Sequence, residues 1–181
     1  MMMTEFNFKD GNGPVPAKRH LNGGGWVADT AIVEDSAYVG PDAKVYGNAR
    51  VYDNAVVYGN AEVYDKALVY DDAWVYGRAK VYDDAEVFGN GEVFGNGEVF
   101  DDALVSGNAL VSGNARVYGD ALVYGDAKVS GEAEVSGNAR VFDDALVYGN
   151  ACVYDETRVS GNTRVFGDAN VSGNAKVFGI E

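Results

Sequence analysis

Three kinds of side chain in this sequence suit nucleophilic, acid–base or metal chemistry: one histidine, one cysteine, and aspartates in adjacent pairs. His20 is the single histidine, which excludes a zinc site built from several histidines. Cys152 is the single cysteine, which excludes an intramolecular disulfide, and no histidine accompanies it as a base. Adjacent carboxylates such as Asp83 and Asp84 recur along the chain, so no pair stands out as a general acid and base. We therefore predict a protein that is not an enzyme and has no catalytic residue, cofactor or metal centre.

Most of these residues belong to a six-residue repeat. Valine stands at every sixth position from Val27 to Val177, 26 times without a slip. Two positions earlier the residue is alanine in 21 of 25 units, and the exceptions are Gly91, Gly97, Thr157 and Thr163. In Ala-x-Val the alanine and valine share one side of a strand, and the Gly, Asn and Asp that follow favour a turn. Each unit is predicted to be one short strand and one corner, with the loosest packing where glycine removes an inward methyl group.

The outward residue before each valine predicts how many strands close one coil. At a spacing of 18 residues its charge alternates at every step, as neighbours on adjacent strands should, through Lys44, Glu62, Lys80, Glu98, Arg116 and Glu134. A spacing of 12 residues shows no such order. We therefore predict an all-β fold, a single-stranded parallel β-helix or β-solenoid with triangular 18-residue coils. Eight to nine coils at roughly 4.8 Å each would make a rod about 40 Å long.

The repeat resembles the hexapeptide-repeat superfamily of left-handed parallel β-helices, in which a small residue follows an aliphatic one by four positions. Val45 with Ala49 and Val51 with Ala55 fit this rule, and the likeness runs from about residue 25 to 180. Tyr, Phe or Ser replaces the glycine that usually follows the aliphatic residue, as in a Tyr-Gly-Asn-Ala-rich branch of bacterial and phage proteins without an assigned function. The resemblance implies a left-handed coil. It also implies a possible relationship to acyltransferases, whose histidine base His20 would not match because it precedes the repeats.

Charge and hydropathy limit the partners and the location. The chain carries 28 acidic and 14 basic side chains, a net charge of −14, which disfavours nucleic-acid binding. It contains no apolar run of about 18 residues, and its start lacks the basic and then apolar pattern of a signal peptide. We expect no membrane association and no Sec export, and we place the protein in a cytosol, a host cell or a virion.

Two kinds of outer surface are candidates for binding. One corner edge stacks carboxylates that could hold calcium, imitate the phosphates of DNA as a decoy for a basic protein, or serve only as soluble corner residues: Asp65, Asp83, Asp84, Asp101, Asp102 and Asp120. Two of the three faces carry outward aliphatic and aromatic residues that suit either an oligomer interface or harmless exposure: Ile32, Leu68, Leu104 and Leu122 on one, and Tyr38, Val56, Trp74, Leu110 and Leu146 on the other.

The two ends of the chain are expected to differ. Residues 1–24 lack the repeat and are predicted to be a cap or an attachment segment, whereas residues 25–181 form the β-helix. The repeat runs through Val177, Phe178 and Ile180 without a comparable segment, which predicts an exposed end for tail-to-tail pairing or for filament growth.

The leading hypothesis for function is a non-catalytic rigid rod that assembles with itself into an oligomer or an end-to-end filament. The second is a module that sequesters a protein partner, for example as an acidic decoy. The third is an acyltransferase relative.

Overall fold

A computed structural model describes residues 4–179, and this part of the chain contains strands and turns but no helix. The predicted all-β architecture is therefore confirmed. The strands in chain order are β1 (Glu5–Asn7), β2 (Pro14–Arg19), β3 (Trp26–Ala28), β4 (Ile32–Val33), β5 (Tyr38–Val39), β6 (Lys44–Val45), β7 (Arg50–Val51), β8 (Val56–Val57), β9 (Glu62–Val63), β10 (Leu68–Val69), β11 (Trp74–Val75), β12 (Lys80–Val81), β13 (Glu86–Val87), β14 (Glu92–Val93), β15 (Glu98–Val99), β16 (Leu104–Val105), β17 (Leu110–Val111), β18 (Arg116–Val117), β19 (Leu122–Val123), β20 (Lys128–Val129), β21 (Glu134–Val135), β22 (Arg140–Val141), β23 (Leu146–Val147), β24 (Cys152–Val153), β25 (Arg158–Ser160), β26 (Arg164–Val165), β27 (Asn170–Val171) and β28 (Lys176–Phe178).

The strands form the three faces of a solenoid. From β3 onwards each strand pairs in parallel with the third strand after it, and paired residues are 18 positions apart, as Lys44 and Glu62 are. The first face is the 11-stranded sheet with β3, β6 and β9, the second is the 9-stranded sheet from β4 to β28, and the third is the 8-stranded sheet from β5 to β26. This pairing confirms the predicted 18-residue coil of three strands, and the third face spans eight coils.

Alanine and valine of the repeat fill the interior. Inward valines such as Val45 and Val99 are 0% exposed, and so are the inward alanines between Ala37 and Ala151. Removing this apolar surface from water is the main favourable contribution to folding. Thr157 and Thr163 replace two inward alanines, and their hydroxyls donate to backbone carbonyls at 3.4 and 2.7 Å. The core therefore accepts these polar groups because each has a hydrogen-bond partner.

The two inward glycines do not loosen the core, contrary to the prediction made from the missing methyl groups. A Cβ placed on Gly91 would lie 3.1 Å from the carbonyl oxygen of Phe88 and 3.2 Å from that of Val105. Gly97 is in the same situation, with a nearest contact of 3.2 Å. Neighbouring carbonyl oxygens therefore leave no empty space of methyl size at either glycine, in keeping with the close packing of protein interiors.

The backbone conformation at the corners explains why the residue two positions after valine is glycine or aspartate in most units. We call this the first corner position and the next residue the second corner position. At every first corner position from Gly47 to Gly173 the backbone φ is positive, for example 69° at Gly113 and 57° at Asp101. Glycine adopts this left-handed conformation freely, and aspartate tolerates it better than most residues. The repeat therefore turns its corners at an almost constant geometry.

Aromatic ladders connect successive coils on the outside. On the first face the rings from Tyr46 to Tyr118 stack with centroids 4.9 Å apart and planes within 4° of parallel. Tyr58, Tyr76 and Phe94 stack at the same distance on the third face. Each such pair contributes about 0.5–1.5 kcal/mol beyond its buried area. Outer aromatic stacks therefore link successive coils on these two faces.

Residues before the repeat cover one end of the first face. Strand β1 pairs antiparallel with β2, and β2 pairs antiparallel with β3. Phe6 stacks on Trp26 with ring centroids 4.3 Å apart, and Phe8 stacks on Tyr46 at 4.8 Å. The hairpin thus satisfies the outer backbone edge of β3 and packs its own apolar side chains on the first coils.

Candidate functional site

His20 lies in the loop that covers the N-terminal end of the solenoid. Its side chain is only 5% exposed, and its Nδ1 is 3.1 Å from the carbonyl oxygen of Asn22. Its backbone nitrogen donates to Gly25 at 2.8 Å, while Gly25 donates to Val39 and Val39 donates to Asn22. Among residues 4–179, no group bonds to its Nε2. His20 is therefore packed into the cover of the first coil and is not presented to a substrate.

Cys152 is a half-buried residue in the outward row of the first face. Its strand neighbours are Glu134 and Asn170, as the 18-residue register predicts. Its Sγ is 3.8 Å from the carbonyl oxygen of Asn150. The thiol is free. This position brings it together with no histidine, since His20 lies at the opposite end of the rod.

Aspartates at the first corner position have a structural use that the sequence reasoning missed. The Oδ2 atom of Asp101 accepts a hydrogen bond from the backbone nitrogen of Gly119, one coil further on, at 3.1 Å. Four other aspartates at this position accept equivalent bonds of 2.9 to 3.4 Å from the next coil, namely Asp53, Asp71, Asp143 and Asp155. These carboxylates tie one coil to the next. The sequence contained a hint of this role, because the first corner position is occupied by either glycine or aspartate, and aspartate tolerates a positive φ.

Aspartates at the second corner position form the freely exposed part of the acidic edge. Asp84, Asp102 and Asp120 stand in three consecutive coils at the corner between the first and second faces, and all three are exposed. We call them the acidic row. Asp84 also pairs with Lys66 at 3.2 Å, and both side chains are more than half exposed. Within the predicted acidic edge, Asp101 therefore bonds to the backbone of the next coil, whereas the three carboxylates of the acidic row are exposed.

The pKa of Asp65 responds to its surroundings although the residue is largely exposed. Desolvation, followed by the charge of Asp83 one coil away, raises the pKa of Asp65 above its usual value. Asp65 and Asp83 both have positive φ, so the backbone holds their carboxylates at the corner. Folding therefore disfavours the charged form of Asp65.

The predicted lateral interface is only partly exposed. Ile32, Tyr38 and Trp74 are 50%, 36% and 43% exposed. The remaining members of the two predicted rows are half-buried between their neighbours, namely Val56, Leu68, Leu104, Leu110, Leu122 and Leu146. The exposed members of these two predicted rows therefore lie in the N-terminal half of the rod.

The last described coil exposes its apolar residues more than earlier coils do. Val177 is half-buried and Phe178 is 65% exposed, while Ile180 lies outside the described residues. Phe166, which the sequence reasoning did not select, is 57% exposed at the same end. The inward residues Ala169, Val171 and Ala175 of this coil are also only partly covered.

The outward charges of the first face pair as predicted. Lys44 contacts Glu62 at 2.7 Å, and Glu98 lies 3.6 Å from both Lys80 and Arg116. The Arg116 guanidinium also approaches Glu134 at 3.7 Å. Exposed ion pairs contribute at most about 1 kcal/mol each, so this ladder mainly fixes the register.

Tyrosine hydroxyls join the same outer network. Tyr70 donates to Glu86 at 3.1 Å and Tyr76 donates to Glu92 at 3.0 Å. Burial, followed by these hydrogen bonds, raises the pKa of Tyr70 and of Tyr76 to about 12. Burial likewise raises the pKa of Tyr46 well above its usual range, with Glu62 adding to the effect. The neutral hydroxyl is therefore the form that the folded protein stabilises.

The second face ends in a row of cations that sequence reasoning also missed. Arg140, Arg158 and Lys176 are register neighbours in three consecutive coils, and all are exposed. We call them the basic strip. With the corner residues Asn138, Glu156 and Asn174 they line a cleft of about 330 Å³. The sequence could have revealed this row. On the second face, the outward residues spaced 18 apart are leucine and glutamate from Leu68 to Leu122 and become cations from Arg140 onwards.

Between residues 4 and 179, no three or more His, Cys, Asp or Glu side chains are grouped in a way that could hold a metal ion. The portion described by the structure includes no helix of the length and apolar character needed to cross a membrane.

Comparison with known proteins agrees with this architecture. The family model described as YdcK Beta solenoid repeat matches residues 43–59, 115–131 and 133–149. No curated protein matches the chain. The matched segments lie within the stacked coils, and the coils form parallel sheets with an 18-residue register. The repeat match and the fold together identify this chain as a β-solenoid repeat protein.

Proposed function

We propose that this protein is a non-catalytic rigid rod that associates with a second copy of itself through its last coil. A solenoid of stacked coils suits a scaffold because every coil is held to its neighbours by backbone ladders, packed valines and outer stacks. The observation that carries the proposal is the apolar surface of the last coil. Phe166 and Phe178 are more than half exposed there, whereas Tyr148, at the equivalent position one coil before Phe166, is half-buried.

Backbone edges at the same end favour association further. Strands β26, β27 and β28 are the last members of the third, first and second sheets, so each has a paired neighbour on one side only in the described chain. Unpaired strand edges readily add another strand. The last coil therefore offers both apolar contact and hydrogen-bonding groups to a partner.

A second copy fits this end better in a tail-to-tail arrangement than in a head-to-tail one. The N-terminal end is partly occupied, since β2 covers β3 and the loop at Asn22 covers β5. Rotation about a two-fold axis would place two last coils against each other and would make the paired strands antiparallel. Such an isologous contact closes at two copies, whereas a head-to-tail contact continues into a filament.

The test compares an end variant with a matched lateral variant by light scattering across concentrations, with negative-stain images of the same samples. The double variant Phe166→Lys with Phe178→Lys should abolish rods of doubled length. Trp74→Lys, which changes an exposed apolar residue on the third face, should leave them unchanged. Doubled rods that persist in the end variant, or a wild-type protein that never exceeds one rod length, would refute association through this coil.

A second candidate function is sequestration of a basic protein, and the exposed acidic row favours it. Asp84, Asp102 and Asp120 are open to solvent and repeat at the coil spacing. Binding of protamine, as a probe for a basic DNA-binding protein, should weaken with salt and with simultaneous replacement of these residues by asparagine. Affinity that is insensitive to both changes would eliminate this function.

A further inference from the structure

The second face, together with the corner that joins it to the first face, is divided along the rod into an acidic half and a basic half. In the coils from Glu86 to Leu122 the acidic row stands at the corner, and Glu86 adds a carboxylate on the face itself. In the next three coils the basic strip occupies the face. The two halves have equal length, three coils each.

Within one chain, the basic strip lacks the alternation of positive and negative side chains that stabilises the first face. Among the side chains of residues 4–179, none forms an ion pair with Arg140, Arg158 or Lys176 within 4.0 Å, although Glu156 lines the same cleft. Like charges on directly opposite strand positions destabilise a sheet. A row of three cations in a chain with a net charge of −14 therefore has unused capacity to bind an anionic surface.

We infer that the occupant is a second copy of this chain, docked side by side and antiparallel through the second face. The two-fold axis of this dimer runs along the strand direction and lies between the coils of Leu122 and Arg140. It makes the two rods antiparallel and places the basic half of each copy opposite the acidic half of the other. Because both rows repeat once per coil, all three charges come into register together. This pairing extends the proposed self-association and uses no residue tested at the rod end, so the two proposals can fail separately.

The symmetry pairs specific coils. Arg140 faces the partner coil with Leu122 and Asp120, and Arg158 faces the partner coil with Leu104 and Asp102. Lys176 faces the partner coil with Glu86 and Asp84, completing the third match. In the first two matches an apolar side chain meets the aliphatic stem of an arginine while a carboxylate at the corner meets its charged head. Each match therefore uses both parts of the long basic side chain.

The reach of the side chains is consistent with this arrangement. The second corner position precedes the outward strand position by two residues, a separation of about 6 to 7 Å along the strand, which extended arginine and lysine side chains can span. The six coils from Glu86 to Lys176 overlap over about 29 Å, one face wide. A contact of this size belongs to the weak class, and its ion pairs make it sensitive to salt.

The experiment is sedimentation equilibrium of the full chain at about 100 µM in about 0.05 M and about 0.5 M salt. One variant reverses the basic strip, and its partner variant reverses the acidic row; a control changes net charge as much as the first on other surfaces. The three sets are Arg140→Glu, Arg158→Glu and Lys176→Glu; Asp84→Lys, Asp102→Lys and Asp120→Lys; and Arg78→Glu, Lys128→Glu and Arg164→Glu.

We expect each reversed variant alone to dimerise at least about tenfold more weakly than wild type at low salt. An equimolar mixture of the two should form a heterodimer, which also shows that both variants fold. The control should dimerise like wild type, and high salt should weaken every lateral dimer. Rods of doubled length that need Phe166 and Phe178 should survive the reversal, because they use the other contact.

Three results would overturn the lateral pairing. They are a wild-type chain with no salt-sensitive dimer, a reversed variant that dimerises as strongly as the control, and a mixture that stays monomeric. Salt-sensitive species larger than a dimer, persisting in the Phe166→Lys with Phe178→Lys background, would indicate staggered parallel packing and would equally overturn the antiparallel arrangement.

Discussion

Replacement of Asp101 separates the two roles of an aspartate at a first corner position. Its φ of 57° is a left-handed conformation that costs alanine about 1–2 kcal/mol and costs glycine almost nothing. Its Oδ2 accepts the Gly119 amide at 3.1 Å, a bond that contributes about 1 kcal/mol. Asp101→Ala loses the bond and retains a strained backbone, so we expect the free energy of unfolding to fall by about 2 kcal/mol. Asp101→Gly loses only the bond, and we expect a fall of about 1 kcal/mol or less.

Two measurements on the full chain check these values. Urea unfolding gives the change in stability, and amide hydrogen exchange of Gly119 reports the lost bond directly. Both variants should speed exchange at Gly119. The matched control is Asp102→Ala at the neighbouring second corner position, where the side chain is exposed, and it should change neither quantity appreciably.

Two outcomes would contradict this reasoning. Equal destabilisation by alanine and glycine would show that backbone strain at the corner is unimportant. Unchanged exchange at Gly119 in both variants would show that the carboxylate does not hold the next coil.

Unfolding measurements also test three predictions about ionisable side chains on the outer surface. Because folding raises the pKa of Tyr70 and Tyr76 from 10.0 to about 12, their stabilising contribution is present below pH 10 and is lost as pH rises through 12; replacing both by phenylalanine should flatten this loss in alkaline unfolding curves. Asp65→Asn should raise the urea midpoint at pH 7, because Asp83 and burial disfavour the charged form, and the gain should vanish in acid as Asp65 becomes protonated. Glu98→Lys should lower stability by up to about 1 kcal/mol at low salt and less at high salt, since it places three cations in consecutive coils; a salt-independent loss would point to packing instead.

The coil was predictable because its information is local and repeated. The alternation of Ala and Val identifies the inner side of each strand, and the charge alternation from Lys44 to Glu134 is meaningful only if residues 18 apart are neighbours. The register pairs bear out that inference. The left hand of the coil, which rested on resemblance alone, stays a prediction.

The candidate surfaces were less predictable because exposure depends on neighbours in other coils. Leu104 and Leu122 are outward by alternation, as predicted, yet they are half-buried because residues one coil away cover their sides. Phe166 follows valine as Tyr148 does and stacks on it at 5.4 Å, but it is 57% exposed near the end of the stack. Aromatic residues in the same position of the repeat thus differ in exposure with their place along the rod.

The sequence by itself determined the strand and corner of each unit, the inward column of valine and alanine, and the number of strands per coil, since all of these follow from side-chain periodicity. Only the tertiary structure decided which carboxylates bond to backbone, that Gly91 is closely packed, that Asn22 and the hairpin cover the N-terminal end, and that apolar side chains of the last described coil are partly exposed. The physical reason is that these properties depend on distances between coils and on φ angles at the corners. The six-residue pattern is nearly the same in every coil, so it does not show how one coil differs from another.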